Sequence, residues 1–263
     1  GALNVCMNLQ SLGVNTEIIG VIGDDFEAFR LEYLCDKFKI NRHGLLKVRD
    51  RITTTKTRFF NQDKQLLRVD QELRTDIDKD TKNDLIKEIR KALKNCDVLI
   101  LQDYNKGVLT EELISEIMFL AKKSKIPVFV DPKLENFNAF NGATLIKPNR
   151  HEAAAQLGYE LNTLDSAKAA AKILLERHKS ENILLTLGDE GMILYNKDQL
   201  SHIPAKELQV ADITGAGDTV IAVMAALYAT DLPIESCAQY ANQAAAETCK
   251  EHGVVPVTLK MLY

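Results

Sequence analysis

From about residue 80 to the C-terminus, short apolar runs alternate with longer stretches whose apolar residues recur at helical spacing. Few arrangements satisfy that alternation. Each short run is apolar on both faces, so it reads as a strand covered on both sides, and each amphipathic stretch reads as a covering helix. Leu85, Ile86, Ile89 and Leu93 mark one helix face, and residues 98–101 the strand that follows. Helix over 111–123, strands over 128–130 and 144–146, helix over 166–177 and strand over 183–187 continue the series. Two helices, about 216–229 and 234–250, close it, with Pro233 near the first turn of the second. The pattern predicts a three-layer α/β/α fold around a mainly parallel central sheet.

Residues 53–70 break the rhythm. Two β-prone segments rich in Thr, Phe, Leu and Val flank Asn61, Gln62, Asp63 and Lys64, which predicts a hairpin outside the main sheet. Residues 16–22 are expected to join it in a small lid or edge sheet. Lys56, Arg58 and Arg68 on this hairpin face either a charged ligand or solvent. No repeat, low-complexity tract or Gly/Ser/Pro-rich linker divides the chain, so one domain over 1–263 with a lid is expected.

Charge and cysteine usage exclude several classes. Thirty-three basic against 37 acidic residues leave a net charge of −4, so no nucleic-acid-binding surface is indicated. The longest apolar run, residues 220–229, covers about half of the ~20 residues that a membrane helix needs. The 5 cysteines are scattered and lack Cys-x-x-Cys spacing, and no basic, apolar leader is visible; a reducing, cytoplasmic setting is expected.

The chemistry concentrates at strand ends. Asp212-Ile213-Thr214-Gly215-Ala216-Gly217-Asp218 runs into a helix, where glycines allow a tight turn and the unpaired N–H groups of the first turn attract an anion. Asp218 then stands beside that anion as a base for a substrate hydroxyl; alternatively Thr214 or Asp212 simply caps the helix. After the strand at 144–146, Asn149 and Glu152 place an amide and a carboxylate on one helical face, suited to hydrated Mg²⁺ with phosphate or to a mutual capping box. Thr186, Gly188 and Gly191 form either a backbone that nucleotide phosphates can approach or a plain hairpin turn. Asp103 and Lys133 close two further strands at the same sheet edge. None of the 5 histidines has a partner spaced for metal binding or a triad. A base, an anion turn, a magnesium-organising carboxylate and a nucleotide loop together suit phosphoryl transfer from ATP.

Asp-x-Thr-Gly-Ala-Gly-Asp at 212–218, Asn-x-x-Glu at 149–152 and Thr-x-Gly-x-x-Gly at 186–191 resemble the ribokinase-like (PfkB) carbohydrate kinases over essentially the whole chain. The resemblance implies the ribokinase-like fold, with Asp218 as base and Gly215, Ala216 and Gly217 as anion hole. It also implies ATP and Mg²⁺ at Asn149, Arg150, His151 and Glu152, the metal being held indirectly through Glu152. Nucleotide contacts would come from Thr186, Gly188, Gly191 and Asn242. Residues 2–8, 53–58, 65–70, 102–107 and 131–133 are similar to the branch that phosphorylates the anomeric hydroxyl of a heptose 7-phosphate. For that sugar phosphate, Gly1, Asn4, Lys56, Arg58, Arg68, Asp103 and Lys133 are the implied contacts, and dimerisation through the lid is implied too. The family carries a first strand and a sugar-binding aspartate ahead of the position of Gly1, so this domain is expected to lack its N-terminal strand. Kinases of fructose phosphates or ribose, and a non-catalytic nucleotide or sugar-phosphate sensor, stay open as alternatives.

Overall fold

The computed structural model describes residues 1–61, 64–206 and 211–262. In chain order its elements are α1 (Ala2–Ser11), β1 (Glu17–Ile22), α2 (Phe26–Lys37), β2 (Asn41–Lys47), β3 (Thr55–Asn61), β4 (Lys64–Gln71) and α3 (Lys79–Ala92). There follow β5 (Leu99–Gln102), α4 (Glu111–Ser124), β6 (Val128–Asp131), β7 (Leu145–Ile146), α5 (Arg150–Leu157), α6 (Leu164–His178) and β8 (Asn182–Thr186). The chain continues through β9 (Met192–Asn196), β10 (Leu200–Ile203), α7 (Ala216–Tyr228) and α8 (Ile234–Thr248).

Six strands form the central sheet in the order β10-β9-β8-β7-β6-β5. Strands β5 to β8 run parallel, β9 runs against them and β10 turns back antiparallel to β9, so the sheet is mainly parallel as the alternation predicts. Successive residues point to opposite faces of a strand, and the core divides accordingly. Val130, Ile146, Ile183 and Leu185 pack against Leu113, Ile114, Ile117 and Leu174 of α4 and α6. Phe129, Leu145 and Leu184 pack on the other side against Val5 of α1, Val220 and Val223 of α7 and Ala241 of α8. Burying a side chain of this size contributes about 1.5–3 kcal/mol, which is why these short strands hold without long ladders. Side-chain caps start the helices on the first face: Asp78 accepts from Thr81 N at 2.7 Å, and Thr110 from Leu113 N at 3.3 Å.

Strands β3 and β4 pair antiparallel in a separate two-stranded sheet; the expected turn residues Gln62 and Asp63 lie outside the described residues. Residues 16–22 do not join this pair. Instead β1 pairs parallel with β2, with Gly20 opposite Leu45 and Val21 opposite Leu46. Burial decides the choice. Ile19, Val21 and Leu46 pack on the same core layer as Leu99, whereas the hairpin leaves Phe59, Leu67 and Val69 exposed. Gly44 permits the pairing, since a Cβ there would come within 2.5 Å of the Ile19 side chain.

Candidate active site

The C-terminal ends of the parallel strands converge on the N-terminus of α7. Gly215 occupies the N-cap position with φ 91°, a left-handed conformation that glycine adopts without strain, and no side chain caps the helix. Neither Thr214 nor Asp212 takes the capping role left open by the sequence. Asp212 folds back on its own loop, accepting from Thr214 N at 2.8 Å and from Gly253 N at 3.1 Å. The bonds from Thr214 hold its carboxyl below the usual range, and Arg58 on β3 is near enough to lower it further. With Asp212 so engaged, the N–H groups of Gly217 and Asp218 have no acceptor among the described residues.

Asp218, third residue of α7, is 14% exposed and is held from three elements. Oδ2 accepts from Asn4 Nδ2 of α1 at 2.9 Å and lies 3.2 Å from the Gly1 nitrogen. Oδ1 receives longer bonds, 3.4 Å each, from Gln102 Nε2 and Tyr104 Oη. Burial, with Asp218 and Asp131 nearby, pushes the Tyr104 phenol far up, so it stays a protonated donor.

Behind this carboxylate lies a second one. Asp131, the last residue of β6, accepts from Gln102 Nε2 at 2.7 Å and pairs with Lys147 Nζ at 3.1 Å. Burial drives its carboxyl upward, and Lys147 opposes the drift. Asn149 and Glu152 form the capping box: each side chain accepts from the other's backbone N–H at 2.9 Å. The second Glu152 oxygen pairs with Lys133. Burial opposes the Lys133 charge, yet the bond to Glu152 leaves the ammonium above its ordinary range.

The residues expected to face a nucleotide sit alongside. Thr186 bridges to Asn149, with Oγ1 3.4 Å from Pro148 O, and so joins the ends of β7 and β8. Arg150 spans α5 to the following loop, donating to Leu161 O at 2.6 Å and pairing with Glu190 at 2.7 Å, while His151 is exposed. Gly188 and Gly191 both have positive φ, and a Cβ on Gly191 would lie 2.1 Å from Ile203 O, so the chains cross there too closely for a side chain. Asn242 stands apart, donating to Pro204 O at 2.8 Å within a cleft of about 530 Å³ between the end of β10 and α8.

Several residues assigned to a sugar phosphate are otherwise occupied. Lys56 and Arg68 pair with Asp70 at 3.0 Å each, on the hairpin itself. Asp103 is buried and accepts from Asn105 N at 2.9 Å and Asn136 Nδ2 at 3.2 Å, which shapes its own loop. Gln102, Tyr104, Asp131 and Lys147 were given no individual role by the sequence. Their signal is positional: Gln102 and Asp131 are register partners at strand ends, and Lys147 directly follows the next strand.

The pfkB family carbohydrate kinase model matches residues 1–260. The chain belongs to the pfkB family of carbohydrate kinases. Among curated relatives, the bifunctional protein HldE of Coxiella burnetii is 38% identical over 263 residues, covering 100% of this chain and 54% of that protein. The HldE of Aliarcobacter butzleri is 35% identical over 263 residues, with coverage of 100% and 55%. The chain therefore spans about half the length of the curated relatives it matches. Among solved structures, Escherichia coli phosphofructokinase-2 in complex with potassium superposes with a TM-score of 0.87 at 18% identity, covering 100% of this chain and 84% of that one. Arabidopsis thaliana ribokinase complexed with ribose and ATP gives a TM-score of 0.78 at 20% identity, covering 98% and 85%. These likenesses establish the ribokinase-like fold expected from the motifs.

Proposed function

We propose that this chain transfers the γ-phosphoryl group of ATP to the anomeric hydroxyl of D-glycero-D-manno-heptose 7-phosphate, giving the 1,7-bisphosphate, a precursor of the lipopolysaccharide inner core. The observation that carries the reading is the pairing of a carboxylate, Asp218, with an uncapped helix turn in one place. Asp218 takes the hydroxyl proton while the sugar oxygen bonds to γ-phosphorus. The bond to the bridging oxygen breaks, and its electron pair leaves with ADP. Open N–H groups at the turn, Gly217 and Asp218 among them, hold the charge on the migrating group, whereas the Ala216 N–H is taken by Ile213 O at 3.3 Å.

Kinship with HldE over about half of a protein named as bifunctional supports assignment to its kinase part, and the phrases at 53–58 and 102–107 favour the heptose branch. No cluster of three or more carboxylate, His or Cys groups able to cage a metal occurs among the described residues. Glu152, with its oxygens bound to Lys133 and Asn149 N, suits an outer role in which it accepts from water on a Mg²⁺ brought by the nucleotide. Bound there, Mg²⁺ supplies charge neutralisation between the phosphates.

The 55–71 pair serves as the lid of a single catalytic unit. Its two faces differ: Lys56, Arg58 and Arg68 share one, and the exposed Phe59, Leu67 and Val69 share the other. The charged face suits a sugar phosphate, and the apolar face suits the lid of a second copy, making a homodimer. Five free cysteines, four of them buried, fit a reducing, cytoplasmic setting.

The test is a coupled ADP-release assay with heptose 7-phosphate, fructose 6-phosphate, fructose 1-phosphate and ribose in parallel. A kcat/KM for heptose 7-phosphate at least tenfold above the others is expected. Preference for another sugar reassigns the substrate. Nucleotide binding without any ADP release identifies a sensor instead.

A further inference from the structure

Lys147 follows β7 directly, and its side chain is 4% exposed. An ammonium so far from water is costly unless paired, and Asp131 at 3.1 Å engages one of its three N–H donors. The same nitrogen abuts the signature turn: a Cβ built on Gly217 would lie 3.4 Å from Nζ. There it stands against the N-terminus of α7, whose own partial charge is positive. That arrangement is unfavourable for the turn alone and favourable with an anion bound. A line of contacts then continues to the base. Gln102 Nε2 donates to Asp131 at 2.7 Å and lies 3.4 Å from Asp218 Oδ1.

We propose that Lys147 is a catalytic residue of the phosphoryl transfer, its ammonium contacting the oxygens of the migrating phosphoryl group at the 215–217 turn, with Asp131 and Gln102 as the residues that position it. The inference rests on the kinase reading of the same site. Lys147 neither gains nor loses a proton. While the sugar oxygen bonds to γ-phosphorus and ADP departs with the electrons of the broken bond, Asp218 collects the sugar proton. The fixed charge of Lys147 balances the phosphoryl oxygens. Asp131 anchors the ammonium from behind, so no side-chain reorganisation accompanies the reaction. Gln102 links that anchor to the base, which sets the cation and the proton acceptor at a constant separation.

A merely structural ion pair behaves differently, since replacing both buried partners by neutral groups of similar size is often harmless. The Lys147→Met, Asp131→Asn double variant of the full chain therefore discriminates. It is expected to retain its circular dichroism spectrum and its affinity for Mg·ADP, and to lose about 10²–10³ in kcat with KM for the sugar phosphate within about threefold. Calorimetric titration with ADP and aluminium fluoride, a mimic of the phosphoryl group in flight, is expected to show at least a thirtyfold loss of affinity relative to the unaltered protein. Lys147→Gln, whose amide still donates to Asp131, carries the same readouts should the double variant fail to fold. A kcat within about fivefold of the unaltered protein, or unchanged affinity for the ADP–aluminium fluoride pair, overturns the role. If the unaltered protein phosphorylates none of the sugars offered, the substrate reading fails, and the aluminium fluoride titration still decides for or against Lys147.

Discussion

Asn4 donates its amide to the carboxylate of Asp218 at 2.9 Å, joining residues separated by 214 positions. The contact fixes α1 to the first turn of α7 and makes the two helices one wall of the site. It also orients the carboxylate, since Asn4 Nδ2 is the shortest donor that Asp218 has, against 3.4 Å for Gln102 and Tyr104. Asn4→Leu removes that donor and leaves the side chain free to turn away from the sugar hydroxyl. A fall in kcat of about tenfold is expected, with the melting temperature little changed. A kcat within about twofold of the unaltered protein would refute the coupling.

Asp218→Asn keeps the shape and removes the proton acceptor. With the reaction assigned above, kcat is expected to fall by about 10²–10⁴ while ATP affinity changes little. Single-turnover kinetics alongside calorimetry separate the two effects. Retention of more than a tenth of the turnover would remove Asp218 from the role of base.

The helices and strands beyond residue 80 were legible because their signal is local: Leu85, Ile86 and Ile89 recur at helical spacing, and 128–131 is buried throughout. The β1–β2 pairing was not, because Val21 and Leu46 meet only through a crossover by α2, which carries exposed Phe26, Phe29 and Tyr33 and so lacks a clean amphipathic pattern. The glycine turn and the capping box were readable as motifs. Their neighbours Gln102, Asp131 and Lys147 are ordinary strand-end residues until the parallel register sets them side by side. Lys56 and Arg68 share Asp70 as a partner on the same hairpin face, a pairing that strand alternation alone makes visible.

His178 predicts how the fold responds to acid. Its ring is 1% exposed, has no hydrogen-bond partner at either nitrogen among the described residues, and lies with its centroid 4.9 Å from that of Phe137. Burial, aided by the adjacent Arg177, lowers its pKa to about 4. The unfolded chain binds that proton near pH 6.5 and the folded chain does not, so stability is complete above about pH 6.5 and declines as pH falls toward 4. His178→Leu should flatten that decline by about one proton per molecule in the pH dependence of the urea midpoint. An unchanged slope would show that other groups govern acid unfolding.

Gly191 tests the nucleotide loop separately from the chemistry. At φ 86°, with a would-be Cβ 2.1 Å from Ile203 O and 2.5 Å from Ala205 N, the position excludes any side chain on both conformational and steric grounds. The obstacle is the backbone of residues 203–205, so no rotamer change relieves it. Gly191→Ala must push β9 away from the segment that carries Pro204, the acceptor of Asn242. The expected outcome is a destabilisation of about 1–3 kcal/mol and a raised KM for ATP, with kcat at saturating nucleotide within about threefold. Thermal melting and a nucleotide titration measure the two effects independently. A melting temperature equal to that of the unaltered protein would contradict the close crossing, and an unchanged KM for ATP would detach the Asn242 cleft from the nucleotide.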